Sequence, residues 1–171
     1  MIYDFQALQE VFEHLPADAA ARVAESLQAH GRVFVCGAGR SGLMVKAFAM
    51  RLAQMGRTVY AVGEVVTPAI EAGDLLLVAS ASGETAGVVR AAQVAKRVGA
   101  TVYALTAKPS STRAELADAQ ILFPAPTKND APTRAVMGTV FEQAVLLFCD
   151  AVVAELCTDA GAMRARHANL E

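Results

Sequence analysis

Leu75-Leu76-Leu77-Val78-Ala79-Ser80-Ala81-Ser82-Gly83-Glu84-Thr85 decides the architecture of this chain. Its first five residues are apolar without alternation, which suits a strand buried on both faces, as in a parallel sheet under helices. Small hydroxyl residues and a glycine end the run, and helical periodicity starts at once. Ser80, Ser82 and Thr85 therefore fall where the carboxyl end of a strand meets the amino end of a helix. Unpaired N–H groups and the positive end of the helix dipole meet at such a corner, which suits it to a phosphate. A Ser/Thr helix cap with a turn glycine would also place hydroxyls there. Three hydroxyls plus Gly83 exceed what one cap requires, so the phosphate reading is preferred.

Upstream, residues 32–36 read as a first strand. Gly37-Ala38-Gly39-Arg40-Ser41-Gly42 follows, and then a helix with Met44, Phe48, Leu52 and Met55 on one face, ended by Gly56. Residues 58–62 read as a second strand, and 64–73 as a loop or short helix around Pro68. Downstream, the helix after Thr85 is expected to bury Val88, Ala91, Ala95 and Val98 and to expose Arg90, Gln93, Lys96 and Arg97, stopping at Gly99. Residues 100–105 and 119–123 read as the fourth and fifth strands. Pro124, Pro126 and Pro132 mark an extended connection, and 134–156 reads as one long helix, apolar nearly all round. At the amino end, Phe5, Leu8, Phe12 and Leu15 recur at helical spacing before Pro16, and Val23 and Leu27 continue in a second helix closed by His30-Gly31. His14 and His30, near helix ends, read as solvated groups or partners of the C-terminal dipole.

Strands alternating with helices give an α/β three-layer sandwich with a five-stranded parallel sheet, doubly wound in the flavodoxin-like or Rossmann-like manner. Ligands of such sheets bind outside the carboxyl ends of the strands. The two strand–Gly/Ser loop–helix units can therefore face one another across a single site.

The 171 residues fit one domain with a sizeable core, divided here into N-terminal helices (1–31), an α/β core (32–156) and a polar tail (157–171). An apolar fraction of 54% with 19% charged residues favours a buried globular core over disorder. The formal charge of -2 gives no general attraction to nucleic acid. No membrane span or signal peptide is read, since Asp4, Glu10 and Glu13 interrupt the amino end. Cys36, Cys149 and Cys157 resemble neither a disulfide framework nor a zinc site, and the cytoplasm is the expected compartment.

Gly37, Gly39 and Gly42 spell a dinucleotide-type fingerprint, with Glu64 at about the distance a ribose-binding acid needs. The chain is short for a dinucleotide half plus a substrate domain, and the second loop is a hydroxyl cradle that a nicotinamide half-site does not require. Two phosphate loops on one sheet fit a single sugar phosphate better. A tight turn with close helix–strand packing explains the glycines under either ligand.

Glu142 stands alone in an apolar helix, in Met137-Gly138-Thr139-Val140-Phe141-Glu142-Gln143. A lone ionised carboxylate is costly to bury, so it should be paired, raised in pKa or facing a cavity. Beside a phosphate pocket it is a candidate general base. An interface glutamate paired with an arginine reads equally well from the helix alone. Arg164, Arg166 and His167 sit in a tail that would by default be solvated.

Taken together, these motifs resemble the sugar isomerase (SIS) domain family over essentially the whole chain. The Glu142 segment and the ending Met163-Arg164-Ala165-Arg166-His167-Ala168-Asn169-Leu170-Glu171 resemble most the members that interconvert 3-hexulose 6-phosphate and fructose 6-phosphate, in formaldehyde fixation by the ribulose monophosphate route. The resemblance implies enediol chemistry without metal or other cofactor. It also implies a homotetramer, a dimer of dimers with sites at subunit interfaces. By motif, Ser41, Ser80, Ser82, Gly83 and Thr85 would hold the phosphate, with Gly39 and Arg40 near the rest of the substrate. Glu142 would be the base, and His167 would enter a neighbouring subunit's site, where it could serve the enediolate oxygen or ring opening. For Arg40 a surface ion pair is an equal alternative. Isomerases of this family acting on pentose or heptose phosphates, and non-catalytic sugar-phosphate regulators, remain the competing classes.

Overall fold

A computed structural model describes residues 5–111, 116–130 and 136–170. Five strands form one parallel sheet: β1 (Arg32–Gly37), β2 (Thr58–Ala61), β3 (Leu75–Ala79), β4 (Thr101–Thr106) and β5 (Ala119–Leu122), in the order β2-β1-β3-β4-β5. Helices α1 (Phe5–Glu13) and α2 (Ala19–Ala29) precede the sheet. Helix α3 (Gly39–Gln54) follows β1, α4 (Ala86–Val98) follows β3, and α5 (Thr139–Leu156) and α6 (Ala160–Ala165) close the chain.

Alternation along β3 builds two cores from one apolar run. Leu75, Leu77 and Ala79 point into the layer of α2, α3 and α5. Leu76 and Val78 point into the layer of α4, against Val88, Ala92 and Ala95. Every residue of β3 is buried, which is why the run shows no polar alternation. Phe123 meets Phe141 and Phe148 of α5 edge-on, with ring centroids 5.7 and 5.3 Å apart. These contacts seat the long helix on the sheet.

The order of strands reverses between β1 and β3. Gly37 and Ala79 are register partners at the carboxyl ends of those strands. The loops that leave them diverge to opposite faces and open a crevice between, the usual ligand position in such sheets.

Three expectations are corrected. The long helix begins at Thr139 rather than 134: Val136–Gly138 form a 3-10 turn in which Met137 has φ 59°, and residues 134 and 135 lie outside the described set. In α4 the buried face runs through Ala92 instead of Ala91, and Val98 is 39% exposed, because Gly99 adopts the left-handed conformation and ends the helix there. Phe5 is also 68% exposed, whereas Leu8, Phe12 and Leu15 pack against the core around Val11. In addition, the segment Val136–Leu156 is long and apolar enough to cross a membrane by length and composition, although no span is read from the sequence. Here one face of it is buried against α2 and α3.

Both histidines of the N-terminal helices take up helix-end roles. His14 Nδ1 lies 2.7 Å from the Glu10 carbonyl and His30 Nδ1 lies 2.6 Å from that of Ser26.

Candidate active site

The crevice between the two loops is a cavity of about 420 Å³. Ala38 to Ser41 form one wall, Ala79 to Ser82 with Thr85 the second, and Gly138, Phe141 and Glu142 the third. Helices α3, α4 and α5 all begin at its rim, so three helix amino ends add positive potential to one space.

The two loops are shaped differently. A Cβ built on Gly37 would lie 2.8 Å from the Cα of Gly42, and one on Gly42 would lie 2.6 Å from the Gly37 carbonyl oxygen. These glycines let β1 and α3 touch backbone to backbone. Gly39, at φ 56°, makes the turn between them. Glu64 does not reach the cavity: it pairs with Lys46 at the surface, and that pair draws its carboxyl below the usual range. The glycine fingerprint here is thus a packing device.

The second loop is held by its own hydroxyls. Ser80, 4% exposed, has its Oγ 3.0 Å from Thr85 Oγ1 and accepts from the Gly83 N–H at 3.2 Å. Ser82 Oγ accepts from the Glu84 N–H at 3.3 Å. Thr85 occupies the N-cap position of α4, yet its side chain makes no capping bond. It turns to Ser80 at the cavity wall instead, so the simple side-chain cap is not formed. Gly83 has φ 72°, and a Cβ there would lie 2.1 Å from Ser111 Oγ. No other residue fits this turn.

Glu142 lies in the first turn of α5, with its side chain 12% exposed. Arg40 Nη1 stands 2.9 Å from Glu142 Oε2, without the angle of a hydrogen bond, and donates to Thr139 Oγ1 at 3.1 Å. Burial pushes the Glu142 carboxyl above its ordinary range, and the Arg40 charge pulls it part of the way back. The result is a carboxylate harder to ionise than usual, facing a cavity with a guanidinium beside it. Such a group can take a proton from carbon and return it.

Among the expected residues, Gly39, Arg40, Ser41, Ser80, Ser82, Thr85 and Glu142 line this single space, and Gly83 shapes it. His167 is not brought to it. It follows α6, where Arg166 packs on Gly56 and donates to the Gln54 carbonyl at 3.4 Å. That is the far end of α3, roughly 20 Å from Gly39 by helical rise. Its ring is exposed, with Nδ1 3.1 Å from the Ala168 carbonyl. Thr127, Lys128 and Met137 also line the cavity and were not singled out from sequence. They sit on the proline-marked connection and the 3-10 turn, where no periodicity exists to orient a side chain.

The SIS domain family matches residues 26–153. A protein of Mycobacterium gastri named 3-hexulose-6-phosphate isomerase is 46% identical over 170 residues, covering 91% of this chain and 85% of the relative. A protein of the same name from Bacillus subtilis is 40% identical over 166 residues, covering 92% and 90%. A crystal structure from Methanococcus jannaschii, from which a 3-hexulose-6-phosphate isomerase function was inferred, superposes with a TM-score of 0.84 at 30% identity. It covers 97% of this chain and 94% of that one.

Proposed function

Because the chain belongs to the SIS domain family, we propose that its cavity interconverts 3-hexulose 6-phosphate and fructose 6-phosphate. It is an isomerase, as its similarity to the Mycobacterium gastri and Bacillus subtilis relatives indicates. The observation that carries the chemistry is Glu142: a largely buried carboxylate with a raised pKa, in one cavity with a hydroxyl cradle suited to phosphate.

The reaction moves a carbonyl from C2 to C3 through an enediol. From fructose 6-phosphate, Glu142 takes the proton on C3 while O2 gains a proton. The same carboxyl then delivers a proton to C2, O3 loses its own, and the carbonyl stands at C3. One carboxylate serves both carbons because they are adjacent. Ser41, Ser80, Ser82 and Thr85 hold the phosphate at the amino ends of α3 and α4. Binding energy from that remote group places C2 and C3 over Glu142. Arg40 sits where it can face the oxygens on C2 and C3 as negative charge develops there.

His167 completes a second chain's site in this reading. Its position at the far end of α3, away from its own chain's cavity, supports action between subunits. Phe5 (68% exposed), Leu43 (59%) and Met50 (48%) leave α1 and α3 with faces a partner would cover. The reading extends to a tetramer of paired dimers, a cytoplasmic location and a role in formaldehyde fixation.

The test is a direct assay. Purified protein given 3-hexulose 6-phosphate should release fructose 6-phosphate, and arabinose 5-phosphate or sedoheptulose 7-phosphate should be far poorer substrates. Preference for a pentose or heptose phosphate would move the assignment to another isomerase of the family. Tight binding of the sugar phosphate without turnover would make the chain a sensor.

A further inference from the structure

The cradle of Ser41, Ser80, Ser82 and Thr85 is built from hydroxyls and helix amino ends, all formally neutral, while a sugar phosphate near neutral pH brings close to two negative charges. Three cationic side chains lie around it. Arg40 is engaged by Glu142 at 2.9 Å. Lys108 is engaged by Asp130 at 3.1 Å. Lys128 makes no ion pair with any described residue. It nevertheless lines both the main cavity and an adjoining hollow of about 460 Å³, and both spaces share Ser82 and Thr85 with it.

The turn that carries Lys128 is pinned, although its ammonium is not. Thr127 is 5% exposed and gives its N–H to the Asp130 carboxylate at 2.6 Å. The Asn129 N–H reaches Thr127 Oγ1 at 3.4 Å. On the other side lies Gly138, where a Cβ would be in ordinary van der Waals contact with the Lys128 backbone nitrogen at 3.7 Å. Asp130, the nearest acid in sequence, is spent on Thr127 and Lys108. An exposed lysine on an ordinary surface turn is simply solvated. This one is fixed at its backbone beside the cradle, with its charge unspent.

We infer that Lys128 supplies the positive charge that holds the phosphate of the substrate, reaching it past Ser82 and Thr85 from the 127–130 turn. The inference rests on the cradle reading under the proposed function and adds a binding residue that determines specificity for the phosphorylated sugar. It also fits the way the turn is pinned, since the Asp130 carboxylate is already engaged by the Thr127 N–H and Lys108.

Inorganic phosphate, titrated calorimetrically into the full chain, reads this without turnover. Lys128→Gln should weaken phosphate about tenfold and raise KM for the sugar phosphate by a similar factor, with kcat within about twofold. Lys128→Arg should recover most of both. The difference between wild type and Lys128→Gln should shrink as salt is raised, because the interaction is between charges near solvent. An unchanged phosphate affinity in Lys128→Gln would overturn the inference. So would a loss that accompanies a lower unfolding midpoint and is not recovered by arginine, since that pattern belongs to a damaged turn. If the wild-type chain fails to isomerise 3-hexulose 6-phosphate yet binds phosphate in a Lys128-dependent way, the isomerase reading falls and the lysine assignment stands.

Discussion

Glu142 has to be ionised to accept a proton from carbon, and its surroundings oppose ionisation. Burial raises its pKa, while the Arg40 charge pulls it part of the way back. The sign of the pH dependence follows. The acid limb of kcat/KM should lie above the ordinary glutamate value of 4.5, with activity lost as pH falls through the raised pKa. Removing the opposing charge in Arg40→Met should move that limb to higher pH, and a limb that stays put or moves lower would show that Arg40 does not govern the base. Glu142→Gln should cut turnover by about a thousandfold while leaving the affinity for inorganic phosphate within about twofold. Near-normal turnover would remove Glu142 from the chemistry. Sequence exposed Glu142 because a lone carboxylate in an apolar helix is conspicuous. It could not decide between a base and an arginine partner, and the structure places Glu142 both beside Arg40 and on the cavity wall. Thr127 and Lys128 were illegible for a different reason, since an extended proline-marked segment has no period to point a side chain.

Elements were most legible where burial was complete. β3 is apolar throughout because both its faces are covered, and its hydroxyl end marks the crevice directly. The start of α5 was not legible. Met137 at φ 59° is a left-handed residue without a glycine's freedom, and no composition signal announces it. The face of α4 was misread by one residue, since Ala91 and Ala92 are the same residue type and only packing against β3 and β4 chooses between them. The opposite end of the sheet supplies a control on stability. Asp74, 5% exposed before β3, accepts from Arg32 at 2.8 and 2.5 Å and from the Glu71 N–H at 2.7 Å. Those bonds, the Arg32 bond foremost, hold its carboxyl below the usual 3.8. The stability it contributes is therefore present above that value and is lost as pH falls through the lowered folded pKa. Asp74→Asn should cost about 2 kcal/mol at pH 7, seen as a lower unfolding midpoint, with KM unchanged. The gap between variant and wild type should narrow in acid, and a gap that is constant with pH would deny the charge its role.

Among the described residues, the hydroxyl loop and Glu142 share one cavity, and no histidine lines it. One chain holds His167 at the far end of α3, and exposed apolar side chains lie on α1 and α3. In the proposed assembly, an equal mixture of Glu142→Gln and His167→Ala subunits should regain about a quarter of the activity of wild type, because some sites then combine an intact base with an intact histidine. No recovery in oligomers shown to be mixed would place the whole reaction within one subunit. A charge at Met50, as in Met50→Glu, should lower the native mass in sedimentation, and an unchanged mass would leave that face uncovered. The sequence reached this scale only through its terminal motif, since neither periodicity nor composition can show which chain a tail serves. The central claim is proton transfer at adjacent carbons by Glu142. It is tested most directly by NMR of fructose 6-phosphate in D2O with the purified protein. Deuterium should enter C3 of the recovered fructose 6-phosphate and C2 of the 3-ketose as it forms, and both signals should vanish with Glu142→Gln. Isomerisation without deuterium entering either carbon, or undiminished exchange in Glu142→Gln, would contradict it.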